Sequence, residues 1–529
     1  MKSDAPAHSR MPTFGRLFRW LFSWRTFGRV LILLAGLATV LALFYAEENW
    51  RGKRAWEKCK SELLAQGVEL DWHKFIPPPV PDEQNFAMTP FLAPLFNFNP
   101  RPLQAGQTRW RDTNGFNRTT TFAGQFSAIE STHGWLHVQP GKLTDLEGCW
   151  RALQSSPTTN AAAFHNRAEA AVALMEALRQ FNPVLAELYS ASGRPSSRFN
   201  VDYTEEDPAA ILIPHLSVIN KAGYVLRFRA SAELALGRND AAFADAGLII
   251  HLANSIRNDP FIISALARER ILGMAVQIIW EGLGQHSWSD AQLREFQARL
   301  EDSSVLKQFS ESMRAERASF GDGIFEYLRA HPSELRGMID SSSTSLPAAI
   351  LSYGPNGWLY QEQVSYQRLY DQKLPAGFDV DAGRFHPQDI EQWAKQLDLI
   401  TGRGIIDQLR HHRLLSSLLF PNLTGLYQKT ALAQNNLNQA AIACALERHR
   451  LAHGQYPETL DSLLPAFIGK LPLDVCSGQP LKYRREADGH FILYSIGWNE
   501  RDDTGTVVKD KEHIDSTQGD WVWPPYPEK

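Results

Sequence analysis

Ser304 and Lys307 stand one helical turn apart, the S-x-x-K spacing in which a lysine amine can take a serine proton and create a nucleophile. The S-D-N and K-T-G segments that complete this chemistry in penicillin-binding enzymes occur nowhere in the chain, so the pair reads as two positions of an ordinary helix. His411 and His412 are adjacent, which on a helix sends their rings about 100° apart, and they need further ligands from elsewhere to share a metal. They read as a helix end or an interface. The acid pairs Glu47-Glu48, Glu205-Glu206 and Asp502-Asp503 are neighbours along the chain, whereas paired catalytic carboxylates are defined by their separation in space. Glu311, Arg314, Arg317 and Asp322 lie near one another along a helix and its end, and pairs three or four residues apart stabilise an exposed helix face by about 0.2–0.5 kcal/mol each. No H-E-x-x-H and no G-x-S-x-G is present, so no catalytic or cofactor-binding residue is assigned from the sequence.

The elements that position these residues follow from composition and periodicity. A chain of 529 residues with 44 % hydrophobic and 21 % charged residues can bury real cores and divides into two or three domains. A net charge of −4, without Lys/Arg clusters interleaved with aromatics, argues against nucleic acid as a partner. Cys59, Cys149, Cys444 and Cys476 are scattered with no C-x-x-C pair, which excludes a zinc ribbon and leaves disulfides or buried thiols.

Val30 to Ala46, "VLILLAGLATVLALFYA", carries no charge, and as a helix it reaches about 26 Å, enough for a thin hydrocarbon core. Trp20, Trp24, Tyr45 and Trp50 flank it as interfacial aromatics, and Phe44 occupies a position where signal cleavage after Ala46 needs a small residue. The expectation is an uncleaved, single-pass anchor through the lipid bilayer, with no second apolar run long enough to span. Arginines at 10, 16, 19, 25 and 29 are matched by Arg51, Lys53, Arg54, Lys58 and Lys60, so the positive-inside rule nearly ties. A short basic N-terminus before a long domain favours residues 1–29 in the cytoplasm of a bacterium and the bulk in the periplasm.

Residues 47–84 are expected to form a stalk helix and a Pro-rich linker, "IPPPVPDEQ". Residues 85–140 are expected to form an irregular segment in which "RTTTFAGQF" suits short strands or ordered loops and the Phe and Trp side chains pack on the next domain. Residues 141–430 are helical. Phe164, Ala168, Val172, Met175 and Leu178 form one apolar stripe, and Ser289 with Gln292 forms a capping box. Gly237 ends one arm of a helix hairpin, Asn239 or Asp240 caps the other, and Ala241, Ala244 and Gly247 allow close approach. No second copy at fixed period turns this hairpin into a repeat array. Residues 431–505 form a small α+β module and residues 506–529 a tail. In the module a long helix, half-buried through Leu437, Ala440, Cys444 and Leu451, stops at Gly454, with Pro457 beyond. Strands at Leu481 to Arg485 and His490 to Ile496 flank an Asp488-Gly489 turn. The fold class is therefore mainly α: a transmembrane helix, an irregular helical bundle with hairpins, and a helix-plus-hairpin module.

The order "ALERHRLAHGQYPETLDSLLP", "LPLDVCSGQPLKYRR", "DGHFILYSIGWNERDDTG" resembles the C-terminal part of the major pseudopilin of type II secretion systems, over Ala431 to Gly505 only. The membrane segment departs from that family: "RTFGRVLILL" lacks the glutamate and spacing of a prepilin-peptidase site. The resemblance implies calcium in the loop after the hairpin, where Asp502, Asp503 and Asp510 would supply carboxylates and backbone carbonyls the remaining oxygens. Trp498, Trp521 and Trp523 are expected to cover the sheet edge. The functional expectation is a membrane-anchored, periplasm-facing protein-interaction or scaffold protein, linked through the resemblance to secretion or envelope assembly and engaging protein partners. The alternative is a periplasmic hydrolase with its active site assembled in the helical domain.

Overall fold

The computed structural model describes residues 24–99, 108–124, 141–153, 164–339, 346–371, 377–401, 404–420, 423–487, 489–510 and 513–526. The arginines at 10, 16 and 19, Trp20, residues 125–140, the start of the stretch at Asn160, Pro421 and Asp488 lie outside them. Helix α1 (Trp24–Ala65) is followed by four short 3-10 turns between Trp72 and Phe96. Then come α2 (Thr113–Gly124), α3 (Leu146–Leu153), α4 (Arg167–Leu178) and α5 (Asn182–Ala191). The long helices α6 (His215–Ala235), α7 (Asn239–Ser255), α8 (Ile262–Gly284) and α9 (Asp290–Asp302) form the next run. They lead to α10 (Leu306–Ala318), α11 (Ile324–Ala330), α12 (Glu334–Ile339), α13 (Leu346–Tyr353) and α14 (Asn356–Asp371). Strands β1 (Phe378–Asp379) and β2 (Arg384–Phe385) precede α15 (Pro387–Thr401), α16 (Ile405–Arg410), α17 (Leu414–Leu419) and α18 (Leu423–His453). The chain ends in β3 (Lys482–Arg485), β4 (Phe491–Ser495), β5 (Val507–Asp510), β6 (His513–Gly519) and β7 (Trp521–Val522). Two compact bodies result. One gathers Met1–Val68, Phe325–Tyr366 and Gly404–Leu419; the other holds Glu69–Ile324, Gln367–Arg403 and Phe420–Lys529.

In the first body, α1 runs unbroken from apolar span to charged stalk. Its most apolar 18-residue window has mean hydropathy 2.3 and none of it is buried, which is consistent with a membrane anchor. Beyond the span the same helix buries Trp56, Cys59 and Leu63, a stripe at three- and four-residue spacing. Gly52 and Gly357 let α1 and the start of α14 meet backbone to backbone: a Cβ on Gly357 would lie 1.9 Å from the Glu48 carbonyl oxygen. Around this contact Trp358 Nε1 donates to Glu48 Oε2 at 3.0 Å, Gly357 N–H to Asn49 Oδ1 at 2.8 Å, and the Phe44 and Trp358 rings meet edge-on. Glu362 is fully buried and caps α17, accepting from the Leu414 and Ser416 N–H groups at 2.9 and 3.0 Å. Burial pushes its carboxyl up to about 7, against the lowering effect of these bonds.

In the second body α6 and α7 form the expected hairpin, with Gly237 at φ +71°. The cap differs: Arg238 holds the N-cap position, while Asn239 donates to the Ser287 carbonyl and Asp240 accepts from Gln292. Ala241 and Ala244 are exposed, so close packing falls to Ala242, Ala246 and Gly247, the last lying under the Arg299 guanidinium. The capping box of Ser289 and Gln292 forms as expected. Helix α4 starts at its Asn166 cap and buries Ala171, Leu174 and Leu178; Val172 is exposed, so the stripe is rotated from the expected one.

Several expected boundaries move. "RTTTFAG" is helical, within α2, because Thr119 Oγ1 satisfies itself on the Phe91 and Gly115 carbonyls while Phe122 is buried. The division at 430/431 falls inside α18, whose Leu437 to Leu446 stretch shares one hydrophobic core with α6, α7 and α8 and with Leu463, Leu481 and Leu493. Residues 506–529 are no separate tail, since β7 completes the antiparallel sheet β3-β4-β7 through Tyr494↔Val522 and Ser495↔Trp521. The hairpin pairs Lys482 with Tyr494 and Arg485 with Phe491. Leu451, expected inside, is 45 % exposed, and the polar Asn435 on the same helix is fully buried. A second stretch, Pro208–Ala235, is also long and apolar enough to span, but 67 % of its window is buried in the core, so core packing accounts for its apolar character. The four cysteines are buried free thiols.

Candidate functional site

Helix α8, "IISALARERILGMAVQIIWEGLG", is apolar around most of its circumference, and α6, α7 and α18 pack against it. One stripe is left partly open: Ile263, Leu266, Ala267, Arg270 and Gly273, at the spacing of a single helix face. Leu216 and Ser217 of α6 form one wall and Leu432 and Ala433 of α18 the other, enclosing a groove of about 710 Å³. Its volume comes from small residues. Ala267, Gly273 and Ala433 stand where larger side chains would close the helices on one another.

Three charged groups border the groove. Glu269 is 7 % exposed and its Oε1 accepts from Thr430 Oγ1 at 2.6 Å. Burial pushes its carboxyl up to about 7, with the Thr430 bond and the charges of Arg268 and Lys429 opposing the shift. Arg270 donates to the Tyr224 hydroxyl, its guanidinium 5.1 Å from that ring, and Lys429 is exposed at the rim. The arrangement offers a long apolar surface with charged groups of both signs at its edge.

A second, polar cleft runs beside the turn Ser192 to Ser197. A cavity of about 650 Å³ lined by His251, Arg257 and Arg299 adjoins one of about 570 Å³ lined by Lys74, Arg198 and Arg314, with Val80, Ser197, Arg257 and Asn258 common to both. Its cations are engaged: Arg257 pairs with Asp302 at 3.1 Å, Arg299 with Glu295, and Arg198 donates to the Pro77 carbonyl. Burial pushes His251 down to about 4, so its ring is neutral, and it meets Phe86 edge-on at 4.6 Å. Ser255 donates to the Leu252 carbonyl at 2.7 Å, and among the described residues no hydrogen bond joins it to His251.

The residues singled out by type and spacing are placed apart. Ser304 donates to Gln434 Oε1 at 3.0 Å, and Lys307 pairs with Glu311 at 3.9 Å. Arg317 Nε donates to Gln367 Oε1 at 2.8 Å. His411 ends α16 with Nδ1 on the Asp407 carbonyl, and His412, at φ +51°, packs its ring near Trp358. Asp502 and Asp503 share the turn after β4. Asp502 accepts from Tyr494 and Thr504 and pairs with Lys482 at 3.4 Å; Asp503 accepts from Asn499 at 3.0 Å. Asp510 ends β5, paired along the backbone with His513. A calcium ion at this turn would compete with Lys482 and Asn499 for these carboxylates; among the described residues no three His, Cys, Asp or Glu side chains converge as a metal site. The carboxylate that organises the turn is Asp520, unremarked in the sequence, which accepts from the N–H groups of Asp503, Gly505 and Thr506 at 3.2, 2.6 and 3.3 Å. Trp498, Trp521 and Trp523 are buried as packing groups, Trp498 donating to Glu391.

Sequence reasoning missed Glu269, Arg270 and Lys429; the available signal for the first two was "RER", a charged triplet inside a mostly apolar helix. No protein-family model, curated protein or solved structure matches the chain.

Proposed function

We propose that this chain is a single-pass, membrane-anchored, periplasm-facing binding or scaffold protein. The observation that carries this reading is the unburied apolar half of α1, Leu31 to Phe44, on a helix whose other half packs into a folded body. The groove beside α8 supports binding over catalysis, being apolar and built by three helices, as ligand and partner sites between helices are. A role with protein partners in secretion or envelope assembly rests on the pseudopilin-like order of α18, β3 and β4. The hydrolase alternative draws no support from the polar cleft, where among the described residues His251 Nε2 has no hydrogen-bond partner.

Two experiments test the reading. Full-length protein should stay with membranes through high-salt and carbonate washes and leave only with detergent; recovery in the soluble fraction after gentle lysis would remove it. Alkaline phosphatase fused after residue 529 should be active, because it folds outside the cytoplasm, and an inactive fusion with an active cytoplasmic reporter would invert the orientation. Calcium at the turn of Asp502 and Asp503 belongs to the same proposal: millimolar calcium should raise the melting temperature of the full chain, and no shift removes calcium from it.

A further inference from the structure

The polar cleft beside the turn Ser192 to Ser197 carries more positive charge than its own carboxylates answer. Each acid in its lining has a partner already: Glu69 holds Lys74 at 2.8 Å, Asp302 holds Arg257 at 3.1 Å, and Glu311 pairs with Lys307 at 3.9 Å. Asp259 is bonded to His215 and Ser264 at 2.7 and 3.2 Å. Three guanidiniums of the lining are left with no carboxylate among the described residues. Arg194 donates to the Asn85 carbonyl at 2.8 Å, Arg198 donates to the Pro77 carbonyl at 3.0 Å and to Asn200 Oδ1 at 2.9 Å, and Arg314 lies 5.6 Å from the centre of the Phe75 ring. Neutral oxygens and a ring orient these groups and leave their full charge in place.

The backbone that presents two of them is tied down. Asn85, 1 % exposed, accepts from the Arg198 N–H and donates to the Arg198 carbonyl, both at 2.8 Å, while the Phe86 N–H donates to the Ser196 carbonyl at 2.8 Å. Donors held in this way lose little freedom when a ligand arrives. The two cavities of the cleft, about 650 and 570 Å³, are each the size of a small-molecule site, and Ser197 and Asn258 line both. The Ser197 hydroxyl is buried and has no hydrogen-bond partner among the described residues, so no internal bond competes with a ligand for it. Arg198 and Arg314 line the same cavity. Two guanidinium forks suit a phosphate monoester, with its three oxygens and nearly two charges, better than a single carboxylate.

We propose that this cleft binds a soluble phosphate monoester of a polyhydroxylated compound, a sugar phosphate in chemical class, its phosphate beside Arg198 and Arg314 and its hydroxyls toward Ser197, Asn258 and Arg194. The site lies wholly within the second body and asks nothing of the membrane anchor.

Glucose-6-phosphate and ribose-5-phosphate, titrated into the full chain in detergent, test it, with hydrogen exchange read alongside. At least one ester should bind tenfold or more tightly than its parent sugar, glucuronate or inorganic phosphate, and should slow exchange at residues 192–198 and 308–314. Arg314→Glu, at an exposed position, should weaken binding about tenfold, and Arg314→Lys should recover most of it. Ser197→Ala should weaken the ester severalfold and leave inorganic phosphate unchanged. No saturable binding of either ester, or binding that a folded Arg314→Glu variant keeps in full, overturns the anion site. Equal binding of inorganic phosphate overturns the sugar, and equal binding of glucuronate overturns the phosphate. Phosphatidic acid in nanodiscs should leave exchange at residues 192–198 unchanged; protection there overturns the soluble ligand.

Discussion

Glu269→Gln isolates the cost of burying an acid beside the α8 groove. The amide keeps an oxygen for the Thr430 hydroxyl, which sits 2.6 Å from Glu269 Oε1, and removes only the ability to ionise. In the folded protein the carboxyl titrates at about 7, against an ordinary value of 4.5. Between these values the unfolded chain has released the proton and the folded chain has not, so wild-type stability falls as pH rises through this window. The loss amounts to about 3 kcal/mol above pH 8 and about 1 kcal/mol at pH 5. The variant has no such group. Its stability relative to wild type should therefore rise by about 2–3 kcal/mol between pH 5 and pH 8. The second body holds about 400 residues, and an unfolding entropy near 2.1 cal/mol/K per residue turns that difference into about 3 °C of melting temperature. Calorimetry of both full-length proteins in detergent, at matched ionic strength, measures it. A variant-minus-wild-type difference that stays constant from pH 5 to pH 8 would refute the reasoning, because a lost contact has no such pH dependence.

Arg448 is almost buried and bridges Asp290, Gln297 and the Phe467 carbonyl at 2.8, 2.9 and 2.6 Å; Arg448→Ala should cost about 3–5 kcal/mol, read as a lower urea midpoint of the full chain. Asp520→Ala removes the acceptor of three backbone N–H groups and should speed hydrogen exchange at residues 503–506 while leaving α8 unchanged. Gly357→Ala puts a methyl 1.9 Å from the Glu48 carbonyl oxygen, so exchange should rise together in residues 44–52 and 353–362, whereas Gly28→Ala, with open space around it, should change neither.

Local rules are visible in the sequence wherever a residue's own chemistry decides. Gly237 and Gly454, at φ +71° and +78°, end helices as expected, Ser289 and Gln292 cap each other, and the strand run after Leu481 pairs with the run after His490. The charge-free run from Val30 stands out for the same reason. Tertiary choices are not visible. Thr119 to Thr121 favour strand by β-branching, yet Thr119 and Thr120 bond back to carbonyls one helical turn earlier and the helix buries Phe122. The groove was hidden because α8 is apolar on nearly every side: periodicity tells that such a helix is buried, but not which stripe its neighbours leave open. Only the long-range packing of α6 and α18 makes Glu269, Arg270 and Lys429 neighbours.

The same limit explains why the C-terminal module reads as independent and is not. Along α18, Leu437, Ala440, Ala441, Ile442, Ala443, Cys444, Ala445 and Leu446 are all at most 3 % exposed. A helix on the surface of its own small domain buries one stripe; this one is buried on all sides through that stretch, with α8 and α9 packed on it as well as β4. Cutting at 430/431 would leave the remainder of α18 attached to β3, β4 and β7 and bare the face that meets α8 and α9, including the Arg448 guanidinium that now binds Asp290 and Gln297. Several apolar side chains exposed at about 1.5–3 kcal/mol each exceed the stability of a domain this small. Residues 431–529 expressed alone should therefore aggregate or give a collapsed proton spectrum. A dispersed amide spectrum with a cooperative melt from that fragment would show that α18 needs only its sheet, and would restore the separate module.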